Sequence, residues 1–254
     1  MWEPLFASMR HWNRVVAASS PGARVLERDG VAAAIVPAAP ERAVVNGVLY
    51  ESAAGLAAAY KEIAAAYAAI DAAWTVWVPP ADEHAAGLLE EAGHVLDAQP
   101  QAMALDLTAG VERPSAGALE HWTANGDVAE VGPLNDRAYD FGTDSFTRAL
   151  GGVSADGLFV YLARRGGRAV GCAIVADQRG NAGVEMVAVA PEARGHGVSG
   201  ELLGHALADA AERGIESSTL VATRLGRPVY ERLGYRSFGS LQMWERRDAG
   251  APLT

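Results

Sequence analysis

A single cysteine, Cys172, leaves the chain without a partner for an intrachain disulfide, so no crosslink can staple its fold. A thiol in a strand-like segment could be a nucleophile, but it also reads as a small buried hydrophobe. Lysine is almost missing: Lys61 stands alone against 20 arginines, which removes lysine-based covalent chemistry from consideration. The six histidines fall at no metal-ligand spacing, and neither HExxH nor CxxC occurs, so no metal is expected. No segment approaches the ~18 uninterrupted apolar residues of a membrane span. The Ala-rich stretch 53–74 is broken by Lys61, Glu62 and Asp71, and the N-terminus has no signal-peptide apolar core. Basic charge is in deficit, with 21 Lys+Arg against 31 Asp+Glu and a net charge of −10. That balance argues against nucleic acid as a partner and suits an acidic cleft that draws a cationic molecule. The expectation is a cytoplasmic protein with no membrane and no nucleic-acid partner, monomeric or homodimeric.

What is present is a globular composition: half of the 254 residues are hydrophobic and a fifth are charged, enough for one large domain or two ordinary ones. The most informative stretch is Val184-Glu-Met-Val-Ala-Val-Ala-Pro-Glu-Ala-Arg-Gly-His-Gly-Val-Ser-Gly200, followed by an amphipathic run over 201–213. Strand, glycine loop and helix come in that order. Gly195 and Gly197 allow a tight turn whose backbone N–H groups crowd around an anion, and the helix adds its positive dipole end. The loop lacks the Gly-Lys-Ser/Thr of a P-loop and the three-glycine spacing of a dinucleotide fingerprint. Downstream, 217–223 reads as a strand, 226–235 as a short helix closed by Gly234, and 237–246 as a final strand or hairpin arm.

Arg194–Ser199 resembles the Arg/Gln-x-x-Gly-x-Gly/Ala loop of the GNAT acetyltransferases, with Ser199 in place of the last Gly/Ala. Val229-Tyr-Glu-Arg-Leu-Gly-Tyr235 is similar to their Leu-Tyr-Glu-x-Leu-Gly-Phe segment. The resemblance covers about residues 115–248 and implies the GNAT acyl-CoA N-acyltransferase fold, an α/β protein with a mixed sheet. The remaining pattern accords with it. Segment 116–123 reads as a strand, 127–141 as a helix that breaks or restarts at Gly132-Pro133, and 143–150 as a second helix. A hairpin over 157–164 and 168–176 leads into the strand that ends at Ala190.

The N-terminal part reads as a worn copy. Leu89-Glu-Glu-Ala-Gly-His94 can be laid on Tyr230-Glu-Arg-Leu-Gly-Tyr235, each after a strand (73–78, 217–223) and before another (101–107, 240–246). A strand over 42–51 and a helix over 53–70 would flank the missing phosphate loop, where Tyr50-Glu-Ser-Ala-Ala-Gly55 stands instead. The tyrosine position is Leu89. The expected organisation is therefore two tandem GNAT-like domains, a degenerate one at 1–112 and a catalytic one at 113–254, joined by a linker over 108–114.

The resemblance implies acetyl-CoA as cosubstrate and an amine acceptor that attacks it directly. Arg194, Gly195, His196, Gly197, Val198 and Ser199 would hold the pyrophosphate. Met186, Val187, Ala188 and Val189 would line the pantetheine arm, with a backbone N–H near Val187 facing the thioester carbonyl. Thr223 and Gly226 complete the cofactor set. Tyr230 would protonate the leaving thiolate, as a phenol near ~10 can do for a thiol near ~8.5. Glu185, a carboxylate inside an apolar strand, is the candidate base, with a solvent-facing strand start as the alternative. Tyr139, Asp140, Phe141 and Asp144 would form the acceptor wall, although Asp144 or Thr143 equally fits a helix N-cap. The alternatives are a non-catalytic acyl-CoA sensor, or a tandem acyltransferase using another acyl-CoA.

Overall fold

The computed structural model describes residues 1–115, 117, 119, 121–152 and 157–247. Its elements run α1 (Trp2–Ser19), β1 (Arg24–Arg28), β2 (Val31–Ile35), β3 (Gly47–Tyr50), α2 (Ala53–Ala68), β4 (Trp74–Val78), α3 (Glu83–Glu91), β5 (Val95–Ala98) and β6 (Gln101–Asp106). They continue with β7 (His121–Thr123), a 3-10 turn, α4 (Val131–Tyr139), α5 (Ser145–Leu150), β8 (Leu158–Arg165), β9 (Arg168–Gln178), β10 (Asn181–Val189), a second 3-10 turn, α6 (Val198–Glu212), β11 (Ser217–Ala222), α7 (Arg227–Arg232), β12 (Arg236–Ser240) and β13 (Gln242–Arg246). The strand expected over 116–123 is seen as β7; residues 116, 118 and 120 of that stretch lie outside the described ones.

Two mixed sheets share one plan. The first has the order β1-β2-β3-β4-β13-β5, the second β12-β6-β11-β10-β9-β8-β7. Reading both from their hairpins, β3 and β4 match β10 and β11: each pair is parallel and bridged by a helix, α2 or α6. The internal repeat is thus real, but each sheet takes its penultimate strand from the other end of the chain. β6 pairs antiparallel with β11 and β12, and β13 pairs antiparallel with β4 and β5. The segment expected as one final strand over 237–246 therefore divides at Leu241, whose N–H bonds the Pro100 carbonyl at 2.9 Å. Leu241 is fully buried where the sheets meet, so the chain turns there around a hydrophobic anchor. The sheets consequently do not divide the chain at residue 112.

Among the elements not anticipated are β1, β2 and α1. β1 and β2 form a hairpin across Asp29-Gly30, a two-residue turn with Gly30 at φ +69°. The third, α1, buries Leu5, Val16 and Ala17 and lies against strands of both sheets. Its Trp2 ring packs edge-on against Phe238 at 4.9 Å. Asn13 Nδ2 donates to the Gly47 carbonyl at 3.2 Å. The helix is thus fastened to β12 and to β3 at once. The linker lies across α6, where Arg113 pairs with Asp209 at 2.6 Å and Glu212 at 2.8 Å.

Because β6 is the inner partner of β11 and β12, residues 113–254 made alone would leave two strand edges open and β13 without a sheet. This fragment is expected to lack cooperative denaturant unfolding and dispersed amide spectra. A native-like unfolding transition for 113–254 would show the exchange to be dispensable.

Candidate functional site

Valine- and alanine-rich β10 is buried at Met186 and Ala188 and half-buried at Val187 and Val189, the alternation of a strand between two packed faces. Its parallel ladder with β11 runs only from Asn181↔Ser217 to Val184↔Leu220. Beyond that pair β10 keeps its bonds to β9 as far as Val189↔Gly171, while β11 keeps its own to β6. The two strands therefore part after Val184. A bulge in the β9 pairing falls at the same place, between Val184 and Met186, and Glu185 is the extra residue. The Tyr139 hydroxyl donates to the Val187 carbonyl at 3.2 Å, so the peptide edge of Val187 faces the gap.

Glu185 does not point to solvent as a strand start. Its Oε1 accepts a 2.7 Å hydrogen bond from the buried hydroxyl of Ser8 on α1. Burial pushes its carboxyl up to about 7, against the opposing effect of the Ser8 bond. Cys172 lies opposite Ala188 on β9, fully buried, and burial pushes its thiol up to about 12. It is a packing residue rather than a nucleophile.

At the end of β10 the chain passes Pro191–Ala193 and turns at Gly195 (φ +77°) and Gly197 (φ +79°), backbone that L side chains resist. Gly197 caps α6 without a side-chain bond, so the helix N-terminus is not closed by its own sequence. A cleft of about 230 Å³ opens here, lined by Gly195, Gly197, Ser199, Gly200, Val229, Arg232 and Leu233. Gly200, Val229, Arg232 and Leu233 were not foreseen, since only the fold sets α7 against the loop. His196 is exposed and its Nδ1 bonds the Arg194 carbonyl at 2.8 Å. The Arg194 guanidinium bonds the carbonyls of Val189, at 3.3 Å, and Ala138. It braces the loop against the C-terminus of α4.

Across the gap, α7 presents Tyr230. A Cβ on Gly226 would come within 2.9 Å of its ring, so that glycine makes its seat, and Thr223 Oγ1 accepts from the Gly226 N–H at 3.2 Å. Burial, with Tyr139 opposite adding to it, raises the Tyr230 phenol well above its usual value and keeps it protonated. Tyr139 and Phe141 stack at 5.6 Å. Arg42, from the loop before β3, lies over the Phe141 ring at 3.3 Å and donates to Ser145 Oγ at 2.7 Å. Arg42 escaped sequence reading because it lies a hundred residues away. Asp140 is exposed at the left-handed end of α4. Asp144 is turned to Arg148 in an ion pair, and neither it nor Thr143 caps α5; the Asp136 carboxylate does so, accepting from the N–H groups of Phe146 and Thr147 at 2.9 Å.

Residues 156–237 match the family model described as an acetyltransferase (GNAT) domain. Residues 156–237 thus form a GNAT domain. Among solved structures it is similar over its whole length to a GCN5-related N-acetyltransferase from Kribbella flavida, at 18% identity and a TM-score of 0.66, covering 97% of this chain and 96% of that one. It is likewise similar to a tandem GNAT protein from the clavulanic acid biosynthesis pathway, at 16% identity and a TM-score of 0.58, covering 96% of each. A GCN5-related N-acetyltransferase from Sphaerobacter thermophilus matches at 18% identity and a TM-score of 0.58, covering 95% and 90%. Curated proteins offer no match. The architecture is that of an acyltransferase with two GNAT-like sheets. Among the described residues there is no metal-binding cluster, and no helix is long and apolar enough to cross a membrane.

The two sheets differ at the start of the helix that follows β3 or β10. In the first, Ser52 Oγ accepts from the Gly55 N–H at 3.1 Å and closes the start of α2, the counterpart of α6. Tyr50 reaches across to Asp82 at 2.9 Å and ties the end of β3 to the start of α3.

The raised Glu185 carboxyl gives a signed pH effect. A folded-state value of about 7, against 4.5 when unfolded, costs stability as pH rises between the two, and the cost is complete above the higher value. Glu185→Gln is therefore expected to gain in Tm relative to wild type from about pH 4.5 to 7 and to hold that gain at pH 8. A difference in Tm that does not change with pH would mean the carboxyl titrates normally.

Proposed function

We propose that the chain is an acetyl-CoA-dependent N-acetyltransferase that acts on a primary amine of a small molecule or peptide by direct attack. The observation that carries this reading is the parting of β10 and β11 after Val184, where Tyr139, bonded to the Val187 carbonyl, also acts on the Tyr230 phenol. The glycine loop, the uncapped α6 and the cleft beside Arg232 fit a pyrophosphate at one end of that gap. Bound there, acetyl-CoA supplies an activated acetyl thioester.

The chain's own residues then have distinct tasks. Met186–Val189 offer backbone bonds to an extended arm, and the Val187 N–H stabilises negative charge on the carbonyl oxygen during attack. Glu185, with its carboxyl near neutrality, takes the proton of the attacking ammonium, directly or through water. As the new C–N bond forms and the C–S bond breaks, Tyr230 gives its proton to the departing thiolate and regains one from the second proton that the nitrogen sheds, while Glu185 releases its own to water. Tyr139 and Phe141 line the acceptor side with aromatic surface, and Asp140 lies beside them, which suits a cationic, partly apolar amine. On this reading residues 113–254 with β6 form the catalytic unit, while the 1–112 unit holds no acyl-CoA of its own, its anion site closed by Ser52. One buried cysteine accords with a reducing cytoplasm.

Titration calorimetry is expected to give one CoA per chain, and two equivalent sites would overturn the closed-copy reading. Arg194→Ala, which frees the loop from the Val189 and Ala138 carbonyls, should weaken CoA about tenfold, and an unchanged affinity would detach Arg194 from the phosphate site. Tyr230→Phe keeps the ring and removes the acid. In a thiol-release assay with acetyl-CoA and a panel of amines, turnover should fall roughly 10²–10⁴-fold with little change in acetyl-CoA affinity. Wild-type turnover in that variant would remove Tyr230 from the chemistry.

A further inference from the structure

The base candidate is held from an unexpected direction. Ser8 sits in the middle of α1, a helix that precedes both sheets, 177 positions before Glu185 in the chain. It is 1% exposed. A serine hydroxyl inside a helix commonly bonds back to a carbonyl one turn earlier, but this one donates to the Glu185 carboxylate at 2.7 Å. Gly183, two residues before Glu185 on β10, makes the approach possible. A Cβ there would lie 1.6 Å from Ser8 Oγ and 2.7 Å from Glu185 Oε1. Three residues from opposite ends of the chain are thus fitted to one another, and any side chain at 183 would push the hydroxyl away.

We infer that Ser8 is a positioning residue for the base: α1 reaches across from the N-terminal half to hold the Glu185 carboxylate in the acyl-transfer site, so that site is completed by a helix outside the GNAT domain. This rests on the reading of Glu185 as the base. Glu185 is the extra residue of the bulge and turns its carboxylate to the side of Gly183, where the Ser8 bond selects one orientation for it. α1 can serve as a fixed post because Trp2 is lodged against Phe238 and Asn13 against Gly47. Among the described residues, no charged group pairs with Glu185 instead. On α1, Glu3, Arg10 and Arg14 pair with Arg179, Glu51 and Glu27, and burial keeps His11 toward its neutral form. On α4, Asp136 caps α5, and Tyr139 is bound to the Val187 carbonyl. β9 brings Cys172 alongside Ala188, its thiol kept neutral by burial, and β11 runs beside β10 only with Ser217–Leu220.

A hydroxyl that donates to the carboxylate favours its charged form, so losing it must raise the carboxyl's titration midpoint. The test compares wild type, Ser8→Ala, Gly183→Ala, Glu185→Gln and the Ser8→Ala/Glu185→Gln double variant. The Glu185 titration is read by isotope-edited infrared difference against Glu185→Gln, which needs no acceptor. Ser8→Ala is expected to move the midpoint upward by about one unit, the tenfold effect of one hydrogen bond to a charged group. The acid limb of kcat/KM in the thiol-release assay should move with it. The loss of Tm should be larger at pH 8 than at pH 4, and the double variant should be no slower than Glu185→Gln alone. Gly183→Ala retains both polar groups yet displaces the hydroxyl, and it should give the same midpoint shift should Ser8→Ala fold poorly. An unmoved midpoint in either folded variant, or an equal loss of rate in the Glu185→Gln background, would overturn the positioning role while leaving the base in place. Full activity in Glu185→Gln would overturn the base reading itself, and the proposal with it.

Discussion

Past Val184 the backbone of β10 is paired to β9 on one edge and to no strand on the other. Peptide groups inside a protein demand partners, so an open edge flanked by buried side chains calls for something to bind it. Everything chemical in the molecule is arranged around that edge. The bulge at Glu185 turns a carboxylate toward α1, Tyr139 takes the Val187 carbonyl, and the strand runs out into the Gly195–Gly197 turn below α6. On the far side, β11 carries α7 and Tyr230 to the opposite bank. A single departure from regular pairing thus leaves an open edge, with Glu185 at its start and the Gly195–Gly197 turn at its end.

The open edge is only tolerable because the rest of the sheet is secured by exchange. β6 closes the second sheet between β11 and β12, and β13 closes the first between β4 and β5. Each half therefore depends on the other for an inner strand, which couples them far more tightly than a linker could. α1 adds a third tie, touching both sheets and bonding Ser8 to Glu185. The first sheet repeats the plan of the second but has been closed at both functional points: Ser52 satisfies the helix start, and the Tyr50–Asp82 bond spans the end of β3.

Much of the site could be read in advance because its signals are local. Glycines at 195 and 197 are demanded by a turn at positive φ, and a strand before and a helix after define what the turn serves. Tyr230 lies in a helix bounded by Gly226 and Gly234, punctuation that survives without any knowledge of the tertiary fold. Glu185 stood out because a carboxylate in an apolar strand needs a reason. α1 also left a trace that was not taken up: Trp2, Leu5, Phe6 and Met9 recur at helical spacing, and Asp29-Gly30 between apolar runs is a hairpin turn.

By itself, then, the sequence determined most of the strands and helices after residue 42, the internal repeat and the strand-turn-helix around Gly195 and Gly197. These follow from periodicity and from residues with special backbone freedom, which act within a few positions of themselves. Only the tertiary structure decided that β6 and β13 change places, that Asp136 rather than Asp144 caps α5, that Arg42 lies on Phe141, and that Ser8 meets Glu185. Each of these depends on which surfaces are brought together over a hundred residues or on how a nearby helix is aimed, and no local pattern encodes that. A hydroxyl on an N-terminal helix acquires meaning only when Gly183, by having no side chain, lets it reach the carboxylate.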